Sequence, residues 1–262
     1  MIRNLLVLPL IALTAGFASA QQIRASKPLV QTSSPVARAA AQDDRVYELR
    51  TYFASPGKLD ELHNRFKNHM LGFHEKYGIA NLGYWVPTDN PKRMIVSLVS
   101  YPSSAARESS WAKLCEDRDW IQARRESELK GRILDAVREE VLSADEAADV
   151  LTFAAKESRA FEIRRFTSES GTSETLKTQV REQITKEFGK TNAVVRFFTP
   201  TGEGNRTTTT LMAFIIRPMT DGEGVEEVTV RRPGNAKAGL AASRLVGEVV
   251  TVMKPTEYSP LK

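Results

Sequence analysis

The sequence predicts an α+β protein made of two tandem β-α-β-β-α-β units, and three observations carry that prediction. Tyr47-Glu48-Leu49-Arg50 is echoed by Phe161-Glu162-Ile163-Arg164 at a spacing of 114 residues, far above the period of a solenoid and close to the length of a small domain. Trp85-Val86-Pro87 with Phe198-Thr199-Pro200, and Met94 to Val99 with Leu211 to Ile216, keep nearly that spacing. Within the halves, runs that alternate apolar and polar residues flank segments whose apolar residues recur every three or four positions, the periods of strand and helix.

Arg45 to Phe53 alternates, with Tyr47, Leu49 and Thr51 on one face and Glu48, Arg50 and Tyr52 on the other, and Pro56-Gly57 ends it. From Lys58 to Tyr77, Leu59, Leu62, Phe66, Met70, Phe73 and Tyr77 form the apolar stripe of an amphipathic helix, with Gly78 as its C-terminal cap. Ile79 to Pro87 and Arg93 to Tyr101 read as a hairpin turned at Thr88-Asp89-Asn90-Pro91. Ser103 or Ser104 caps a helix to about Leu114, a second helix runs from Trp120 to Gly131, and Arg132 to Leu142 is the last strand. This order is that of the ferredoxin-like unit, an antiparallel sheet with both helices on one face. Its other face must be covered, and a second copy can cover it. The second half repeats the pattern with strands at Ala160 to Thr167, Asn192 to Thr199, Thr207 to Arg217 and Leu245 to Met253, and a helix at Ser173 to Phe188. Its second helix is open, because Val225 to Val230 reads as strand or helix and Pro233-Gly234 interrupts it.

Residues 1–20 have the features of a cleavable export leader: Arg3, the apolar run Leu5 to Ala15, and Ala18-Ser19-Ala20, with cleavage expected after Ala20. Residues 21–44 are rich in Ala, Ser, Gln and Pro without hydrophobic period and read as a flexible linker. The domains then fall at 45–150 and 156–262. This places the mature protein in the periplasm or outside the cell, with no transmembrane span. At 41 % apolar and 26 % charged residues, the 262-residue chain is rich enough in apolar side chains to build a core. Its one cysteine, Cys115, excludes an intrachain disulfide and any Cys-cluster metal site, and reads as a half-buried thiol. The net charge of +5 is scattered, without the basic stripe and stacking aromatics of a nucleic-acid surface. Asn205-Arg206-Thr207 is a glycosylation sequon, and Gly202-Glu203-Gly204-Asn205 reads as a hairpin loop.

Tyr47-Glu48-Leu49-Arg50-Thr51-Tyr52, Pro56-Gly57-Lys58, Arg65-Phe66 with His69, and Gly83-Tyr84-Trp85 resemble the NIPSNAP family. Tyr101-Pro102-Ser103, Ser110-Trp111, Ser127-Glu128 and Gly131 fall at that family's order and spacing, and Lys254-Pro255-Thr256-Glu257-Tyr258-Ser259-Pro260 looks like its ending. The second half lacks the counterparts of the His, the Gly-Tyr-Trp and the Ser-Trp. The resemblance implies a dimeric α/β-barrel-type fold, here assembled within one chain. In related barrels the space between helices and sheet holds haem or an oxidisable small molecule.

All three histidines, His63, His69 and His74, lie on the first helix, but His63 and His74 are about 16 Å apart along its axis and no i, i+4 pair exists, so no metal site is expected. His69 flanks Phe66 and Phe73 on the stripe that faces the sheet, which makes it the candidate base or ligand contact, against the plainer role of a hydrogen-bonded structural histidine. Glu48 and Arg50 share a strand face, as do Glu162 and Arg164, and read as an ion-pair network at the seam between the sheets or as a polar pocket wall. Tyr52, Tyr84, Trp85 and Trp111 are candidates to line a pocket with His69, Glu48 and Arg50. No nucleophile elbow, Walker loop, Rossmann fingerprint or zinc-protease motif is present, so no cofactor is indicated by motif and haem enters only through the resemblance. The leading reading is a protein that binds a small apolar or amphipathic molecule between helices and sheet of the first half. An oxidase or monooxygenase without cofactor or with haem, and a non-catalytic interaction module, are the alternatives, and self-association into a homo-oligomer is open.

Overall fold

The computed structural model describes residues 44–145, 159–169, 173–191, 193–201, 208–218, 230–231 and 245–261. The expected leader, nearly all of the linker, the Gly202-to-Asn205 loop and the sequon lie outside them, as does Val225 to residue 229 of the ambiguous stretch. In chain order the elements of the first half are β1 (Val46–Ala54), α1 (Leu59–Arg65), a π-helical turn (Phe66–Met70), α2 (Leu71–Lys76), β2 (Ala80–Pro87), β3 (Met94–Tyr101), α3 (Ser104–Glu116), α4 (Arg118–Ser127) and β4 (Leu134–Ala144). The second half comprises β5 (Arg159–Glu169), α5 (Ser173–Phe188), β6 (Val194–Pro200), β7 (Thr208–Pro218), β8 (Val230–Arg231) and β9 (Leu245–Pro255).

The strands pair in the order β2-β3-β1-β4-β6-β7-β5-β9, and β2 pairs with β9, so eight strands close into a barrel with β8 added to β9. Two four-stranded sheets are stitched together at two short antiparallel seams. Leu142 to Ala144 pair with Phe198 to Pro200, and Trp85 to Pro87 pair with Met253 to Pro255. Closure leaves no long unpaired edge on the barrel strands.

The period-2 alternation of β1 decides where its side chains go. Tyr47 and Leu49 point into the barrel, where they pack with Trp85, Leu98, Phe161, Ile163, Phe198, Met212 and Phe214 from both sheets. Tyr52 points outward, under the helices, with Leu62, Phe66, Met70, Tyr84, Leu114 and Trp120. On the second sheet, Leu176, Val180, Ile184 and Phe188 of α5 pack on the matching outer face against Phe166, Leu211, Ala213 and Ile215. The Glu48–Arg50 pair therefore does not lie at the seam between the sheets: it sits on the helix-covered face. Between the barrel strands the halves are bridged instead by Arg165 with Glu140, both on the inward parity of their strands.

Three local features differ from the sequence expectation. The π-helical turn interrupts the predicted long helix, with the Leu71 N–H donating to the Phe66 carbonyl. One inserted residue turns everything downstream backward by roughly 100° relative to an unbroken α-helix. The helix after Cys115 starts earlier than expected, at Arg118, because the Asp117 carboxylate accepts from the backbone N–H groups of Asp119 (2.7 Å) and Trp120 (3.1 Å) and caps it. Among the described residues the second half has one helix, α5, and Val230–Arg231 is strand.

Gly83 explains part of the Gly-Tyr-Trp run. The Trp85 indole lies over Gly83, where a β-carbon would collide with the ring. The alternation then turns Tyr84 to the helix side, and the C-terminal segment holds this stretch in place. Thr256 N–H donates to the Tyr84 carbonyl (2.9 Å), Tyr84 N–H donates to Ser259 Oγ (3.0 Å), and Tyr258 meets His63 Nδ1 at 2.8 Å.

Candidate functional site

Glu48 is the hub of the helix-covered face. It is fully buried, and its carboxylate accepts from Arg50 Nη1 (3.0 Å), Arg107 Nη2 (2.6 Å), Tyr101 Oη (2.6 Å) and Trp111 Nε1 (3.1 Å). Burial pushes its carboxyl up, but the hydrogen bond from Arg107 and the charge of Arg50 more than reverse this and hold it below the usual range. Arg50 in turn donates from Nε to Tyr52 Oη (2.9 Å) and from Nη2 to Glu139 (2.5 Å), and its guanidinium lies 4.0 Å from the Trp111 ring centroid. β1 and β3 present Glu48, Arg50, Tyr52 and Tyr101, while Arg107 and Trp111, one helical turn apart on α3, close over them.

Beside this network an open cavity of about 360 Å³ runs between helices and sheet, at the small end of typical ligand sites. Leu62, Phe66, Met70, Leu114, Trp120, Leu134 and Val137 make it apolar, and Arg50, Arg65, Arg107, Arg124 and Glu139 supply its charge. Arg65, nearly buried, is held by Ser127 Oγ (2.8 Å) and Glu128 (2.6 Å). The Arg65 and Ser127-Glu128 landmarks of the sequence are thus partners in space. Cys115 lines the cavity wall but is exposed, not half-buried, because it lies at the solvent end of α3.

Of the sequence candidates, Glu48, Arg50, Tyr52 and Trp111 come together here. Trp85 does not: it points into the barrel, packed against Phe161 and Phe214 at 5.2 Å each. Tyr84 is fully buried beneath the helices and contacts Phe66 rather than the cavity. His69 is half-buried and lies outside the cavity lining. The π-helical turn is the reason. An unbroken helix would set His69 beside Phe66 on the sheet face, but the inserted residue turns His69 away and brings His74 inward. His74 is fully buried, with Nδ1 2.8 Å from Asn81 Oδ1 and 3.1 Å from Tyr84 Oη. Asn81 Nδ2 donates to the Leu71 carbonyl (3.2 Å), which turns Oδ1 toward the ring and assigns the imidazole proton to Nδ1. Nε2 is then a buried lone pair without a partner. Arg65, Arg107, Arg124, Glu139 and His74 were not singled out as site residues by the sequence. Arg107, four positions before Trp111, was the one with a local signal.

Burial pushes the His74 imidazole down to about 4. Its folded value is below its unfolded one, so between pH 6.5 and about 4 the unfolded chain takes up the proton first and stability falls as pH falls. We expect this residue to account for a loss of about 3 kcal/mol across that window, absent in His74→Gln. Denaturant unfolding of both proteins from pH 7 to 4 measures it, and equal slopes would show that His74 is not buried neutral.

The fold and site define the class: an α+β chain whose eight barrel strands close around one core, with a cavity under the helices of the first sheet. Residues 47–147 match the NIPSNAP family model. A NIPSNAP-like domain protein from Burkholderia xenovorans is 18 % identical over 42 % of this chain and 93 % of its own, with a TM-score of 0.38. A putative monooxygenase from Fusobacterium nucleatum is 10 % identical over 84 % of this chain and 94 % of its own, with a TM-score of 0.51. An anthrone oxidase-like protein is 9 % identical over 84 % of this chain and 95 % of its own, with a TM-score of 0.53. The last two share the fold through both halves. No curated protein sequence matches the chain. Among the described residues, no helix is long and apolar enough to cross a membrane and no cluster of potential metal ligands occurs.

Proposed function

We propose that the NIPSNAP domain binds a small amphipathic molecule in the cavity between helices and sheet. One observation carries this reading: the first sheet leaves about 360 Å³ open under its helices, an apolar space edged by arginines. A packed structural domain has no reason to keep such a space. We read the two halves as tandem ferredoxin-like units of one duplicated ancestor, the second having become a support. The recurring strand order and the parallel Glu48–Arg50 and Glu162–Arg164 pairs favour this.

A monooxygenase-type reaction draws on fold likeness alone, and the base expected for it, His69, is outside the cavity lining. An interaction module is disfavoured by the surface: among the described residues the exposed large apolar side chain is Leu129, standing singly. Residues 1–20 support export, so the ligand would be met outside the cytoplasm. Native mass spectrometry of protein purified from its own host tests both points. The expected result is an excess mass that is lost on denaturation, and a denatured chain that begins at Gln21. A bare chain that gains no mass from its host's small-molecule extract would refute the binding reading, and an intact N-terminus would refute export.

A further inference from the structure

We propose that the ligand is a monoanionic amphiphile, a carboxylate on a short apolar body, whose head group is held by Arg107 and Arg124; this rests on the pocket reading above. The charges around the cavity do not balance. Four arginines line it, Arg50, Arg65, Arg107 and Arg124, with Glu139 as the one lining carboxylate. Their further carboxylate partners are Glu48 and Glu128, so three negative charges face four positive ones. The excess is local. Arg50 commits Nε, Nη1 and Nη2 to Tyr52, Glu48 and Glu139. Arg65 is held by Ser127 and Glu128. Among the described residues Arg107 has only Nη2 engaged at short range, on Glu48 at 2.6 Å, and its Nη1 makes no hydrogen bond and is not buried. Arg124 is exposed, and among the described residues its guanidinium makes no hydrogen bond or ion pair.

An open guanidinium donor on Arg107 and the unpaired guanidinium of Arg124 on the same cavity lining are what an oxyanion would satisfy. One excess charge suits a carboxylate better than a phosphate monoester, which carries nearly two charges at neutral pH. The body then meets Met70, Leu114, Trp120, Leu134 and Val137, an apolar lining that adds no second polar anchor. The small volume selects a short body, roughly that of a ten-carbon acid.

Cys115 is the chain's single cysteine, exposed on the cavity wall, so its alkylation rate by iodoacetamide reports occupancy in the unmodified protein. The probes are decanoate, 1-decanol and decyltrimethylammonium, below their micellar range. Decanoate is expected to slow alkylation at least fivefold, at a half-protecting concentration at least tenfold below that of decanol, and decyltrimethylammonium is expected not to protect. R124E, at an exposed position where folding is not at stake, should raise the decanoate value at least tenfold and leave that of decanol unchanged. R107Q should do the same if it folds. Equal protection by decanoate and decanol in wild type and R124E would overturn the anion assignment while leaving the pocket standing. If no probe protects, and V137W, which fills the cavity, leaves the alkylation rate unchanged, both readings fall.

Discussion

Glu48→Ala is expected to lower the unfolding free energy by about 3–5 kcal/mol, the usual cost of removing one partner from a buried ionic network. The carboxylate it removes is fully buried and accepts from four groups. Arg50 would keep only Glu139 as a charged partner, and Glu139 is 45 % exposed at its side chain, too solvated to compensate a buried cation. Tyr101 Oη would lose its carboxylate acceptor, and Arg107 its close ion pair. Glu48→Gln separates charge from shape: it can still accept hydrogen bonds but leaves the two arginines uncompensated, so most of the loss should remain. The wild-type carboxyl is held below its ordinary range. Its contribution is therefore complete above the unfolded carboxylate value and fades as pH falls through the lower folded one. Chemical denaturation of the three proteins at pH 7 and in mild acid measures this. A loss below about 1 kcal/mol in Glu48→Ala would mean the network is no more than a surface ion pair in strength.

Trp85→Ala is expected to cost about 3–5 kcal/mol for a different reason, a cavity in the middle of the barrel. The indole is fully buried between the sheets, against Phe161 and Phe214 of the second sheet, on the strand that closes the barrel against β9. The closed wall of eight paired strands relaxes poorly into the space. Because the interior faces away from the helix-side cavity, protection of Cys115 by decanoate should be unchanged in the folded fraction. Loss of protection without loss of stability would place Trp85 in the site after all.

Much of this architecture was legible locally. Alternation from Tyr47 to Tyr52 sorted the strand into two faces, and the structure keeps that sorting because a strand's side-chain period follows from its backbone alone, but only the tertiary structure showed which face lines the barrel and which lies under the helices. The helix stripe through Leu62, Phe66 and Met70 was readable for the same reason. What only the tertiary structure decided was how those faces meet. Nothing in the composition of Phe66 to Met70 marks a π-helical turn, yet one extra residue there exchanged the expected inward histidine, His69, for His74. Arg65 with Ser127 and Glu128, and Glu48 with Arg107, are joined across dozens of residues by the strand order, which no local period encodes. Trp85 and Tyr84, adjacent in sequence and alike in composition, end on opposite sides of the wall, one filling the barrel and one under the helices. The cavity is a quantity of the same kind: it is the space that α3, α4 and β4 fail to fill, and an unfilled volume has no residue of its own in the sequence.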